Sequence, residues 1–151
     1  MATERRDQII QRARDVVPLL RDQARRAELD RTISDEVHHA FVEAGFYRIL
    51  QPERYGGLEL DIGAKVDIAA ELGRGCGSAA WIFTNLAIHG WINGMKDPRA
   101  QDELWGDDPD TLVCSAFPGR DAHVRRVDGG FEVDGTWRYS SGIDFCQWIN
   151  L

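Results

Sequence analysis

The sequence predicts an α+β fold, with a helical domain over residues 1–109 followed by the first strands of a β domain over 110–151. Two changes along the chain predict it. Apolar residues recur at spacings of three and four as far as about residue 105, the period of a helix with one buried face. After the turn-rich stretch 106–110 the period falls to two, which suits half-buried strands. The 151 residues, 43% hydrophobic, suffice for a core without disulfide or metal staples.

The elements follow in order. Ile9, Ile10, Ala13, Val16, Val17, Leu20 and Ala24 place one apolar stripe on a helix over 4–27. Ser34 can cap a second helix; Asp35 and Glu36 suit its positive end and Gly45 its exit. Val37, Ala40, Phe41 and Ala44 form its buried side. The apolar link 46–50 packs inward, and Pro52 with Tyr55-Gly56-Gly57 turns the chain. A third helix covers 61–74. Ser78 is expected to cap a fourth over 79–94. Asp97-Pro98 opens a short fifth, a cap residue followed by proline at the first helical position. Strands are then expected over 111–117, 124–127, 131–133, 136–141 and 145–151. Asp128-Gly129-Gly130 and Asp134-Gly135 are read as tight turns. A last strand without a neighbour is poorly stable, so the chain is expected to be the N-terminal piece of a longer enzyme.

Composition narrows the function classes. A formal charge of -7 opposes binding to a phosphate backbone, so no nucleic-acid partner is expected. The arginines of the first helix alternate with acids and read as a solvated face. Three separated cysteines without a CxxC argue against a disulfide framework and a structural zinc, and no metal site is expected. No apolar run reaches the roughly 20 residues of a membrane span, and no signal-peptide core is present. No membrane partner and a cytoplasmic location are expected.

Trp81, Asn85 and His89 lie four apart and share one side of the fourth helix, leaving Ile82, Phe83 and Leu86 for other contacts. Aromatic and polar groups set in apolar walls are what a small-molecule site requires. Histidine suits proton transfer because its ordinary pKa lies near 6.5; the same three residues also serve as a packed tryptophan, a satisfied asparagine and a core histidine. Ser115 and the Ser140-Ser141-Gly142 turn offer hydroxyls, either to a ligand or to local backbone. Cys114 reads as a small buried residue. His38-His39 point about 100° apart and make a poor ligand pair.

The stretch Leu50-Gln-Pro-Glu-Arg-Tyr-Gly-Gly57, with the later Glu71-Leu-Gly-Arg-Gly-Cys-Gly-Ser-Ala-Ala-Trp81, resembles the N-terminal domain of the acyl-CoA dehydrogenase superfamily. Gly77-Ser78-x-x-Trp81, Ile88-His89-x-Trp91, Ala100-Gln101-x-Glu103-x-Trp105-Gly106-x-Asp108-Pro109, Val127-Asp-Gly-Gly130 and Trp137-x-Tyr139-Ser-Ser-Gly142-x-Asp144 are similar to one branch of it. That branch is the oxygenase component of two-component, flavin-dependent aromatic monooxygenases, including the secosteroid-phenol and 4-hydroxyphenylacetate hydroxylases. True dehydrogenases tend to carry Thr-Glu-Pro-x-Ala-Gly-Ser-Asp where this chain has Cys114-Ser-Ala-Phe-Pro-Gly-Arg-Asp121. The hydroxylases tend to read Ser-Ser-Gly-Cys-Asp-His, and Ile143 and Phe145 depart from that pattern.

The resemblance implies an acyl-CoA dehydrogenase-like helical domain leading into a β-barrel flavin-binding domain. It implies hydroxylation of a phenolic or aromatic substrate through a flavin C4a-hydroperoxide. Reduced flavin, FMN or FAD, would come from a separate flavin reductase, and the full-length enzyme would be a homotetramer. Position by position it implies catalytic roles for His89 and Ser140. Trp81, His89 and Ser115 would contact substrate; Trp81, Ser115, Ser140 and Ser141 would contact flavin. The alternatives are FAD-dependent oxidation of an acyl-CoA thioester and a non-catalytic helical interaction module.

Overall fold

The computed structural model describes residues 2–117 and 119–151, without the side chains of residues 2, 3 and 120. Pro118, in the 114–121 stretch singled out above, lies outside the described residues. Five helices come first: α1 Ala2–Asp30, α2 Asp35–Glu43, α3 Ile62–Gly73, α4 Gly77–Gly94 and α5 Pro98–Trp105. The strands follow as β1 Val113–Ser115, β2 Arg120–Val127, β3 Gly130–Thr136 and β4 Trp148–Asn150. The α+β order read from the periodicity is the order observed. Among the described residues no helix is long and apolar enough to cross a membrane.

The helix starts obey local hydrogen-bond chemistry. Ser34 accepts from the Val37 amide, Asp61 from Ala64 and Asp97 from Arg99, each satisfying a donor that the first turn leaves free. α4 differs from expectation. It begins at Gly77 because the Ala80 amide already bonds the Cys76 carbonyl, and Cys76 offers no side-chain cap. Ser78 is therefore inside the first turn.

α3 packs between α1 and α4. Ile9, Ala13, Val17 and Leu20 form the buried stripe of α1, while Ile68 and Leu72 do the same on α3. Arg6 with Asp67 (2.6 Å) and Arg14 with Glu71 (3.0 Å) fasten the rim of the α1–α3 contact. Exposed pairs of this kind contribute about 0–1 kcal/mol each, so burial holds the helices together. The centre is a triangle of fully buried rings, Phe41 of α2, Phe46 of the following 3-10 turn and Phe83 of α4. Their centroids are 5.4, 5.9 and 6.4 Å apart and all three pairs meet edge to face, the arrangement favoured by ring quadrupoles.

The strand region departs from the expected meander. The β2–β3 hairpin forms around Asp128-Gly129, with Val124 opposite Val133. Gly135 continues β3 instead of turning, since the pairing runs on to Arg120 opposite Thr136. The expected strand over 136–141 is absent, because Tyr139 takes a left-handed φ of 63° that breaks an extended run. β1 is shorter than 111–117. Residues 145–151 yield only β4, and Phe145 closes a 3-10 turn, Ile143–Phe145. β4 pairs in parallel with β1, Cys114 opposite Ile149.

Phe83→Ala is expected to lower stability by about 3–5 kcal/mol. Urea denaturation should show a lower midpoint with an unchanged slope.

Candidate active site

Two segments distant in sequence enclose a hollow of about 620 Å³. The start of α4 supplies Gly77, Ser78, Trp81 and Ile82; the turn after β3 supplies residues 139–144. Arg31 and Thr32, between α1 and α2, close one side. The volume lies within the range of ligand sites.

The polar groups here are tied to one another. The Trp81 indole N–H donates to the Ser141 hydroxyl at 2.9 Å, joining helix to turn. The Ser140 hydroxyl donates to the Ser115 carbonyl at 3.1 Å, joining the turn to β1. Thr32 donates to the Asp144 carboxylate at 3.1 Å, and Phe145 stacks on His38 with centroids 4.1 Å apart. The turn itself depends on Gly142, buried at φ 81°, where an added Cβ would lie 2.9 Å from a Leu86 methyl. Trp81 remains 62% exposed and Tyr139 94% exposed. Two large rings are thus presented to the hollow and its surroundings.

The structure brings together Trp81, Ser140 and Ser141, with Ser115 attached through its carbonyl. It does not bring His89 into that group. Eight residues of helix advance 800°, leaving His89 about 80° round from Trp81. The imidazole is 5% exposed and lines a separate crevice of about 10 Å³ with Tyr47, Gln51, Trp105 and Leu112. Its Nδ1 lies 2.5 Å from the Asn85 carbonyl. A carbonyl can only accept, so Nδ1 carries the proton and Nε2 is left as an acceptor. Burial holds the His89 pKa below the ordinary imidazole value; the Asn85 carbonyl opposes this and Lys96 adds to it. Asn85 itself donates to the Trp81 carbonyl.

Cys114 is fully buried and its thiol points to the Trp148 carbonyl at 3.6 Å. Burial pushes the Cys146 thiol pKa up, with Cys114 as the next cause. The Cys146 thiol is therefore not poised as a thiolate nucleophile. His38 donates to or accepts from the Tyr47 hydroxyl at 3.3 Å rather than pairing with His39. Sequence reasoning missed Arg31 and Thr32. They lie in a short interhelical link, and nothing local announces a contact with a turn 112 residues later.

Residues 3–94 match the model of the acyl-CoA dehydrogenase N-terminal domain. The chain belongs to the acyl-CoA dehydrogenase family. It is 37% identical over 134 residues to the oxygenase subunit HsaA of a flavin-dependent monooxygenase from Mycobacterium tuberculosis, covering 89% of this chain and 34% of that protein. The crystal structure of that monooxygenase superposes with a TM-score of 0.90 at 34% identity, over 95% of this chain and 39% of that one. The oxygenase component of p-hydroxyphenylacetate 3-hydroxylase from Acinetobacter baumannii is 30% identical over 140 residues, 93% of this chain and 33% of that protein. XiaF from a Streptomyces species, solved with FADH2 and glycerol, gives a TM-score of 0.92 at 26% identity, over 98% of this chain and 37% of that one. The chain therefore spans roughly a third of the length of these relatives.

Two outcomes follow from this geometry. Gly142→Ala meets both the left-handed φ and the Leu86 side chain, and is expected to cost about 1–3 kcal/mol, read as a lower thermal midpoint. His38 and His89 both have folded pKa values below the ordinary 6.5, chiefly through burial. The unfolded chain then binds protons first as pH falls. The stability they contribute is complete above about pH 6.5 and is lost as pH drops towards their folded values. Urea midpoints measured from pH 8 to 5 should fall below pH 6.5, and the fall should shrink in His38→Gln.

Proposed function

We propose that this chain is the N-terminal part of the oxygenase component of a two-component, flavin-dependent monooxygenase that hydroxylates a phenolic substrate. The observation that carries the reading is the Trp81–Ser141 bridge beside the Ser140–Ser115 bond, at the mouth of a hollow of about 620 Å³. The relatives named as oxygenase components supply the reaction class.

The residues fit a flavin. A flat ring system needs an apolar surface to lie on and polar groups along its edge. The Trp81 N–H is engaged by Ser141, so the indole offers its face. The hydroxyl oxygens of Ser140 and Ser141 keep acceptor capacity after the bonds described. Ser140 and Ser141 would hold the ring edge, Trp81 would cover a ring face, and Ser115 would line the same wall. Reduced flavin supplies oxygen activation when bound. The protein's part is to orient the two rings and keep water away; Ile82 and Ile143 add apolar surface for that purpose.

In this reading the neutral His89 accepts the phenol proton at Nε2 and makes the ring more electron-rich. The tautomer and the lowered pKa favour that role. A second reading of His89 rests on its crevice of about 10 Å³, which is too small for a ring: here the imidazole sets the packing of α4 against residues 111–113. We also read residues 1–109 as one domain and 110–151 as the start of a β-barrel. The full-length enzyme is read as a soluble cytoplasmic homotetramer served by a separate reductase, and light scattering would report the assembly.

The full-length protein, supplied with reductase, NAD(P)H, flavin and a simple phenol, is expected to consume oxygen and yield a ring-hydroxylated product. Flavin bleaching by an acyl-CoA without any reductase would replace this reading with a dehydrogenase. His89→Asn is expected to cut hydroxylation about 10²-fold or more while flavin affinity stays within about threefold. Equal losses of both, with a lower unfolding midpoint, would assign His89 to packing.

A further inference from the structure

Arg31 has no role in the reading above, yet it faces the same hollow. It follows the last residue of α1 and holds a left-handed φ of 59°. Glycine is the usual residue at such a helix exit. Among the described residues its guanidinium has no ion-pair or hydrogen-bond partner, as is also true of Arg99, Arg126 and Arg138, but of these Arg31 is the one that lines the hollow.

The other charged group on the wall is Asp144, and Thr32 already engages it. The apolar part of the wall is contributed by Trp81, Ile82 and Ile143. A ligand complementary to this surface has a flat apolar body and an oxyanion at one end. The guanidinium fork matches both oxygens of a carboxylate or two oxygens of a phosphate.

We propose that Arg31 binds an oxyanion carried by the aromatic ligand of the Trp81 hollow, and so selects acidic ligands over neutral ones. This rests on the aromatic hollow of the proposed oxygenase. The oxyanion belongs either to an aromatic substrate bearing a carboxylate or to the phosphate of the flavin.

The test uses the full-length protein and two matched pairs: a 4-hydroxyphenylalkanoate against its primary amide, and FMN against riboflavin. Dissociation constants are measured for wild type, Arg31→Gln and Arg31→Asn; asparagine tolerates the left-handed backbone and so guards against a lost turn. Wild type is expected to prefer the anionic member of at least one pair by about tenfold, as for a charge-assisted bond. Both variants should bring that preference to within about twofold, leave binding of the neutral member unchanged, and remove the salt dependence of the anionic member's binding. Loss in the acid–amide pair assigns the oxyanion to substrate; loss in the flavin pair assigns it to cofactor. A preference that survives both substitutions, or none in wild type, overturns the role of Arg31 while the aromatic hollow stands on the neutral ligands. Failure of all four ligands to bind overturns the hollow and Arg31 together.

Discussion

Edge-to-face contact among Phe41, Phe46 and Phe83 fixes where α4 lies, and every other feature of the hollow is measured from α4. The three rings come from three different segments and all are fully buried. Phe83 is two residues from Trp81, so about 200° of helix separates them. Anchoring one inward forces the other outward. The 62% exposure of the indole is therefore a consequence of core packing, and the hollow begins where the core's demand on α4 ends.

The second constraint is the convergence of non-covalent contacts on the stretch 139–145. Trp81–Ser141, Ser140–Ser115, Thr32–Asp144 and His38–Phe145 approach this short stretch from α4, β1, the α1–α2 link and α2. No one of them is strong by itself, since a net hydrogen bond contributes about 1 kcal/mol. Together they hold a turn with two left-handed residues, Tyr139 and Gly142, against the helical region. Pre-formed hydroxyls of this kind lose little freedom when a ligand arrives.

Much of this was legible in the residues because it is local. Ser34, Asp61 and Asp97 announced three helix starts by the chemistry of their own side chains, and the stripe Ile9–Ala13–Val17–Leu20 announced the face of α1. Trp81, Ser140 and Ser141 were singled out through motifs, and the structure places them beside one another. What escaped was non-local. The parallel pairing of β1 with β4 depends on contacts more than 30 residues apart, and the nearness of Thr32 to Asp144 on a separation of 112. His89 shows the limit of spacing arguments: a four-residue repeat drifts about 40° per step, so the third residue lies about 80° round from the first. The start of α4 at Gly77 was hidden for a different reason, because backbone rather than side chain makes its first bond.

The parallel β1–β4 ladder carries a kinetic consequence. Closing it joins Val113 to Trp148 across an intervening chain that includes the whole hairpin. Helices and hairpins assemble from neighbours, whereas a pairing across so long a loop bears its closure entropy before it gains contacts. The helical region can thus mature while the hydroxyl wall is still unbuilt. A defect confined to that closure would leave a chain rich in helix whose Ser140–Ser115 wall is unassembled.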